Sequence, residues 1–278
     1  MIDLHTHSTC SDGSEPPERV VDLAVEAGCD AIALTDHDGS FGLAAARTRA
    51  DAVGIRLIPG CEVSCTFDAR SMHLLCYFVD ELSSTFAALL RVVRDDRNAR
   101  NLALAARLRE LGLPVSLDDA AAEAKGQVVG RPHFAAALVR LGRALSIEDA
   151  FDRWLGDGRP AYVPREPLPP ERVIEAAHDD HGLVVLAHPF SNASTTAQLA
   201  TLIGELASMG LDGVEAHYAS YDPSTRNELA RIARSEHLVA TGGSDFHGSY
   251  RPGVHVGTGR GDLNVSDAAL GELEARRP

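Results

Sequence analysis

Lysine is nearly missing from this 278-residue chain: Lys125 stands alone among 26 basic residues, the rest being arginine. A hydrolytic site that bridges its metals through a carboxylated lysine therefore has almost no candidate. No apolar run reaches 18 residues, so no membrane-spanning helix and no membrane partner are expected. The first residues form neither a basic nor a long apolar stretch, so no signal peptide is expected and a cytoplasmic location is. Basic charge is in deficit, 26 against 40 acidic residues for a formal net of −14. That excludes a protein holding long duplex DNA, which needs cationic surface to displace counterions. A short phosphorylated ligand is still allowed, because two or three bound divalent cations would make an acidic pocket locally positive. The five cysteines (Cys10, Cys29, Cys61, Cys65, Cys76) are odd in number and sit in apolar contexts, which predicts free buried thiols. Cys61 and Cys65 have no second pair at zinc-knuckle spacing.

What the chain does contain is alternation. Short apolar runs predict strands at 2–4, 31–34, 56–58 and 72–79, with helices over 18–27, 42–53 and from 85 to 94. Gly28 and Gly54 stand where helices end. Strand–helix alternation predicts parallel pairing with helices outside. From 98 to 167 the pattern becomes helical (102–111, 133–141, 147–155), followed by a Pro-rich return. Alternation then resumes with helices at 170–181, 198–209 and 225–236 and strands at 184–186, 213–215 and 238–241. A last strand is expected at 254–256, before a C-terminal helix. The division is thus 1–97 with 168–278 as an α/β barrel unit, and 98–167 as a helical insertion capping it.

The chemistry-bearing residues gather where strands end. His5-Thr6-His7 closes the first run with Asp12 nearby, and Thr35-Asp36-His37-Asp38 closes the second. Gly60-Cys61-Glu62, Met72-His73, His188-Pro189 and Ser244-Asp245-Phe246-His247 follow. Alternate residues of a strand point the same way, so His5 and His7 can face one ion. Imidazole and carboxylate together suit a divalent cation, and strand C-terminal ends are where α/β barrels build active sites. Asp36 reads as a residue orienting a ligand, Asp38 as a turn or cap residue, and His217 as a further residue able to face the pocket.

These motifs, in this order and over nearly the whole chain, resemble the PHP (polymerase and histidinol phosphatase) family of metal-dependent phosphoesterases. The resemblance implies a distorted (β/α)7 barrel and two or three divalent metal ions, with manganese or iron favoured and zinc a further candidate. It implies His5, His7, Glu62 and Asp245 on one metal, Glu62, His73 and His188 on a second, and Asp12, His37 and His247 on a third. Some relatives place histidine where this chain has Asp12, so a more oxygen-rich third site is implied. Cations about 3.5–4 Å apart hold a shared water and lower its pKa towards roughly 7, so hydroxide attack on phosphorus is the expected chemistry. Glu62, Asp245 and His247 are the catalytic candidates. The segment Gly130-Arg131-Pro132-His133-Phe134 resembles the subgroup acting on nucleotide 3′,5′-bisphosphates and short RNA 5′ ends. Arg131, His133 and Arg165 are the candidate substrate-binding residues, with Ser191 and Asn192 as further donors. The competing expectations are a histidinol-phosphate phosphatase, an amidohydrolase-type site acting on C–N or lactone bonds, and a metal-binding PHP module of a larger assembly.

Overall fold

The computed structural model describes residues 1–68, 70–79, 84–124, 128–164 and 168–278, so Lys125 and Arg165 lie outside the described residues. Seven strands form one sheet in chain order: β1 (Ile2–Asp3), β2 (Ala31–Leu34), β3 (Arg56–Phe67), β4 (Arg70–Tyr77), β5 (Leu183–Leu186), β6 (Gly213–Tyr218) and β7 (Val239–Gly243). The first and last strands meet through Leu4 N–H to Gly242 O (3.2 Å) and Asp245 N–H to His5 O (2.8 Å), which nearly closes the barrel. Alternation decides what fills it. Ala31, Ala33, Leu75, Tyr77, Leu183 and Val185 form the inner core, while Ile32, Leu34, Leu74, Cys76, Val184 and Leu186 face the helices. Tyr77 is fully buried, and its hydroxyl donates to Leu4 O at 2.8 Å, so the one polar atom it takes inside is satisfied.

Helices cover the sheet: α1 (Pro17–Glu26), α2 (Leu43–Val53), α7 (Pro170–Asp179), α8 (Thr196–Ser208), α9 (Pro223–Ser235) and α10 (Asp267–Glu274). Between β4 and α7 lie α3 (Ser84–Glu110), α4 (Leu117–Glu123), α5 (Arg131–Arg140) and α6 (Ile147–Ala150), the last running into a π-helical turn at Phe151–Leu155. Residues of this segment, from Leu104 to Ala161, enclose a core of their own around the fully buried Phe134.

Four expectations need correction. Pairing is parallel for β1–β2–β3 and β5–β6–β7, but β4 runs antiparallel to both neighbours. The connection from β3 to β4 is too short to hold a helix, and so short a link permits only a hairpin. The strand expected at 56–58 extends to Phe67, because Pro59 does not end it. The helices expected at 85–94 and 102–111 are one unbroken α3, so the boundary at 97/98 falls inside a helix. Residues 254–256 form no strand; their one ladder contact is an isolated bridge from His255 to Gly259.

Candidate metal centre

Every cluster residue but Asp12, which sits in the loop between β1 and α1, is placed by a strand or its exit. His5 and His7 leave β1, His37 leaves β2, His188 leaves β5, and Asp245 with His247 leave β7; Glu62 and His73 stand within β3 and β4. The exits are sharp, with left-handed backbone at His188 (φ 28°), Asp245 (φ 53°) and Asp38 (φ 52°). Side chains rarely tolerate such conformations, and they concentrate where function requires them. Gly243 is required for a different reason: a Cβ there would lie 2.4 Å from that of His5.

Glu62 is the hub. Its Oε1 lies 2.9 Å from both His73 Nδ1 and His188 Nε2, and its Oε2 lies 3.2 Å from His7 Nε2 and His37 Nδ1 and 3.3 Å from His5 Nε2. Asp245 Oδ1 faces His5, His7 and His247 at 3.3–3.4 Å. Asp12 lies 3.2 Å from His247 Nε2 and 3.5 Å from His37 Nε2. Three groups thus converge: His5, His7, Glu62 and Asp245; His7, Asp12, His37 and His247; His37, Glu62 and His73. All nine residues expected as ligands come together. His7 and His37 each stand between two groups, which differs from the expected division.

The donor chemistry fits divalent cations. His5 Nδ1 donates to Glu215 Oε1 at 2.9 Å, which turns its Nε2 lone pair inwards, to within 3.1 Å of His7 Nε2. Two ring nitrogens that close need a cation or a proton between them. His7 Nδ1 is buried without a hydrogen-bond partner. Burial alone would raise the carboxyls of Glu62, Asp12 and Asp245, yet the surrounding imidazoles hold all three well below the usual range. Burial would lower His7, but Asp245 and Glu62 outweigh it and raise it to about 10. At His37 burial wins over Asp12 and Glu62, taking it down to about 3.

A further ring of residues fixes the ligands. Glu215 Oε2 accepts from the backbone N–H of His188 (2.7 Å), and the Ser191 hydroxyl meets His188 Nδ1 at 2.9 Å. Asp245 Oδ2 accepts from Tyr218 Oη (2.8 Å) and from Arg251. Asp36 accepts from Ser8 N–H (2.8 Å) and from the Ser8 and Ser11 hydroxyls (both 2.6 Å), holding the loop that carries Asp12. Asp38 accepts from Ser64 N–H (2.8 Å) and pairs with Arg97. Glu215, Tyr218, Arg251, Arg97 and Arg100 are absent from the expectations. Only Glu215, an acid in an apolar run ending a strand, carried a signal that could have found it.

A cavity opens onto Asp12, His37 and His73, and Arg97, Arg100, Arg131, Phe151 and Tyr162 are among its walls. Arg131 therefore faces the cluster, with its guanidinium on Asp157 Oδ1 (2.8 Å). His133 does not line this cavity. It is buried, with Nδ1 accepting from Gly130 N–H (2.9 Å) as the cap of α5, and Asp12 and His247 are among the charged groups around its ring. Asn192 Nδ2 donates to the same Ser191 hydroxyl that meets His188, and His217 lies beside Arg234 and Glu272 instead.

Comparison with known proteins gives the family. The family model for the PHP domain matches residues 3–114. The chain is 36% identical over 249 residues to the 5′-3′ exoribonuclease Rnm of Escherichia coli, covering 89% of this chain and 85% of that one. It is 31% identical over 276 residues to the 3′,5′-nucleoside bisphosphate phosphatase of Chromobacterium violaceum, covering 99% and 97%. A metal-dependent phosphoesterase structure from Bifidobacterium adolescentis superposes with a TM-score of 0.88 at 29% identity, covering 100% and 96%. With relatives this similar along nearly its full length, the chain belongs to the PHP family and is a metal-dependent phosphoesterase of α/β barrel fold.

Proposed function

We propose that the chain removes the 3′-phosphate of nucleotide 3′,5′-bisphosphates and, on the same site, shortens small RNAs from the 5′ end. The observation that carries this reading is the cavity that joins Arg97, Arg100 and Arg131 to the histidine–carboxylate cluster. One phosphate at the cluster and a second held by guanidinium groups describes a substrate with two phosphates about one nucleoside apart. The names of the relatives from E. coli and C. violaceum point to the same two substrate types.

The nine residues would hold two or three divalent ions, and the carboxylate of Asp12 in the group with His7, His37 and His247 favours a metal that accepts oxygen donors, manganese or iron, there. Bound there, such ions acidify water and neutralise charge on phosphoryl oxygens. The chain's own contribution is orientation. Glu62 offers one oxygen to each side of the cluster, and Glu215 fixes the tautomer of His5. Tyr218 and Arg251 hold Asp245 so that its Oδ1 faces inwards. His247 Nδ1 donates to Asp245 O (3.0 Å), which aims its Nε2 at Asp12. The layer of α3 to α6 acts as the cap, with Arg97 and Arg100 on α3 and Arg131 at the start of α5.

A panel of phosphate esters, assayed with manganese, iron and zinc in turn, tests the reading. Phosphate release from 3′-phosphoadenosine 5′-phosphate, well ahead of histidinol phosphate, is expected. No release with any of the three metals would overturn it.

A further inference from the structure

The cluster has a second open flank, built differently from the arginine cavity. A shallow depression there is lined by His188, Phe190, Ser191, Tyr218, Tyr221 and Asp245, and it shares no lining residue with the cavity. Among the described residues, its walls carry no arginine or lysine. Half of them are aromatic, in a chain with only 5% aromatic residues.

The rings are locked in place. Phe190 and Tyr221 meet edge to face, 5.5 Å apart at 88°, and Tyr221 packs on Tyr218 at 4.9 Å. The Tyr221 hydroxyl accepts from Phe190 N–H at 2.8 Å. Tyr218 is committed below, with its hydroxyl on Asp245 and Arg251 over its face at 5.0 Å. Phe190 and Tyr221 remain partly exposed. Preordered, uncharged, partly open rings beside two cluster residues suit a flat aromatic group, which they can stack without reading its hydrogen-bonding edge.

We infer that Phe190 and Tyr221 form a subsite for the nucleobase immediately 3′ of the scissile phosphate, so that an oligoribonucleotide is gripped on both sides of the bond that breaks. This rests on the proposed hydrolysis at the 3′-phosphate. In that reading the 5′-phosphate and first nucleoside occupy the arginine cavity and the next phosphate lies at the cluster. A bisphosphate ends there and leaves the aromatic flank empty. A diester must continue across it with a second nucleoside, whose ribose carries a base with a flat face to stack. Water adds across the O3′–P bond, its hydroxyl going to phosphorus and its proton to O3′. One 5′-mononucleotide leaves, and the remaining chain keeps the phosphate as its new 5′ end. That end carries the group the arginine cavity selects, so the shortened chain is again a substrate.

The test compares wild type, Phe190→Leu and Phe190→Tyr on three substrates: a 5′-phosphorylated dinucleotide, the same molecule lacking its second base, and a nucleoside 3′,5′-bisphosphate. Base stacking predicts a KM for the dinucleotide about tenfold below that of the abasic analogue in wild type. Phe190→Leu should raise the dinucleotide KM about tenfold while the other two substrates stay within about twofold, and Phe190→Tyr should restore it. A wild type that treats base and abasic substrates alike overturns the subsite. So does a Phe190→Leu protein weakened equally on all three, which would mean that Phe190 only shapes the turn carrying His188. If wild type cleaves neither dinucleotide nor bisphosphate, the underlying reading falls and the subsite with it.

Discussion

Glu215 Oε1 stands 2.9 Å from His5 Nδ1, on the side of the ring away from the cluster, and both side chains are completely buried. A carboxylate so placed fixes which nitrogen carries the proton and makes the other a better donor to a cation. Glu215→Gln keeps the shape and loses the charge. Metal affinity or turnover should fall about 10- to 100-fold with little change in melting temperature. Elemental analysis beside a phosphate-release assay would show it; wild-type values for both would remove Glu215 from this role.

Asp245→Asn and His7→Ala strike the cluster itself. Asp245 Oδ1 faces three imidazoles, and His7 belongs to two of the three groups. Each should lower kcat by about 100-fold or more. His7→Ala should also lower the metal content per chain, which separates loss of an ion from misfolding when circular dichroism is unchanged.

The imidazoles set a pH dependence for metal uptake. With its pKa raised to about 10, His7 carries a proton at neutral pH when no cation is present, and a cation must displace it. His37, taken down to about 3, is already neutral above pH 5 and adds no competition. Apparent manganese affinity should therefore rise with pH, by about tenfold per unit between pH 6 and 8. Calorimetry in buffers of different ionisation enthalpy should count at least one proton released per binding event. A flat affinity across that range would contradict the assignment of His7.

Arg131 is the cation in the cavity whose role is easiest to isolate. Arg131→Gln removes a charge-assisted donor and should raise KM for the bisphosphate about tenfold while kcat stays near wild type. Asp157→Asn, which frees the guanidinium from its present acceptor, should leave KM equal or lower. The opposite pattern, a fall in kcat alone, would point to a part in the chemical step.

Tyr77→Phe tests the barrel floor without touching the centre. It strips the hydroxyl that satisfies Leu4 O and should cost about 1–3 kcal/mol of unfolding free energy. Denaturant titration would read this, with KM for the metal-loaded enzyme unchanged.

Much of the centre was legible because its ligands travel in short local motifs at the ends of apolar runs, where strand geometry alone makes them converge. His5, His7, His37, His188, Asp245 and His247 are of this kind. What local pattern does not carry is pairing across the fold. Glu215 serves a histidine 210 residues away, and Arg251 reaches Asp245 only because the chain turns back after Phe246. The antiparallel β4 was hidden for a similar reason. Its apolar run looks like any barrel strand, and only the brevity of the link to β3 sets its direction. His133 is ambiguous in sequence because an imidazole beside arginine reads equally well as an anion ligand and as a helix cap.

The uninterrupted α3 has a mechanical consequence. At 27 residues it is a rod of ~40 Å that runs from the barrel wall into the helical layer, with Arg97 and Arg100 along its shaft. A rod transmits displacement instead of absorbing it, so a pivot of ~5° at one end would swing the other by ~3–4 Å. Any opening of the layer would carry both arginines with it. If these arginines grip phosphate as proposed, admission of substrate and that grip would be geared to one shaft, pinned where Arg97 meets Asp38.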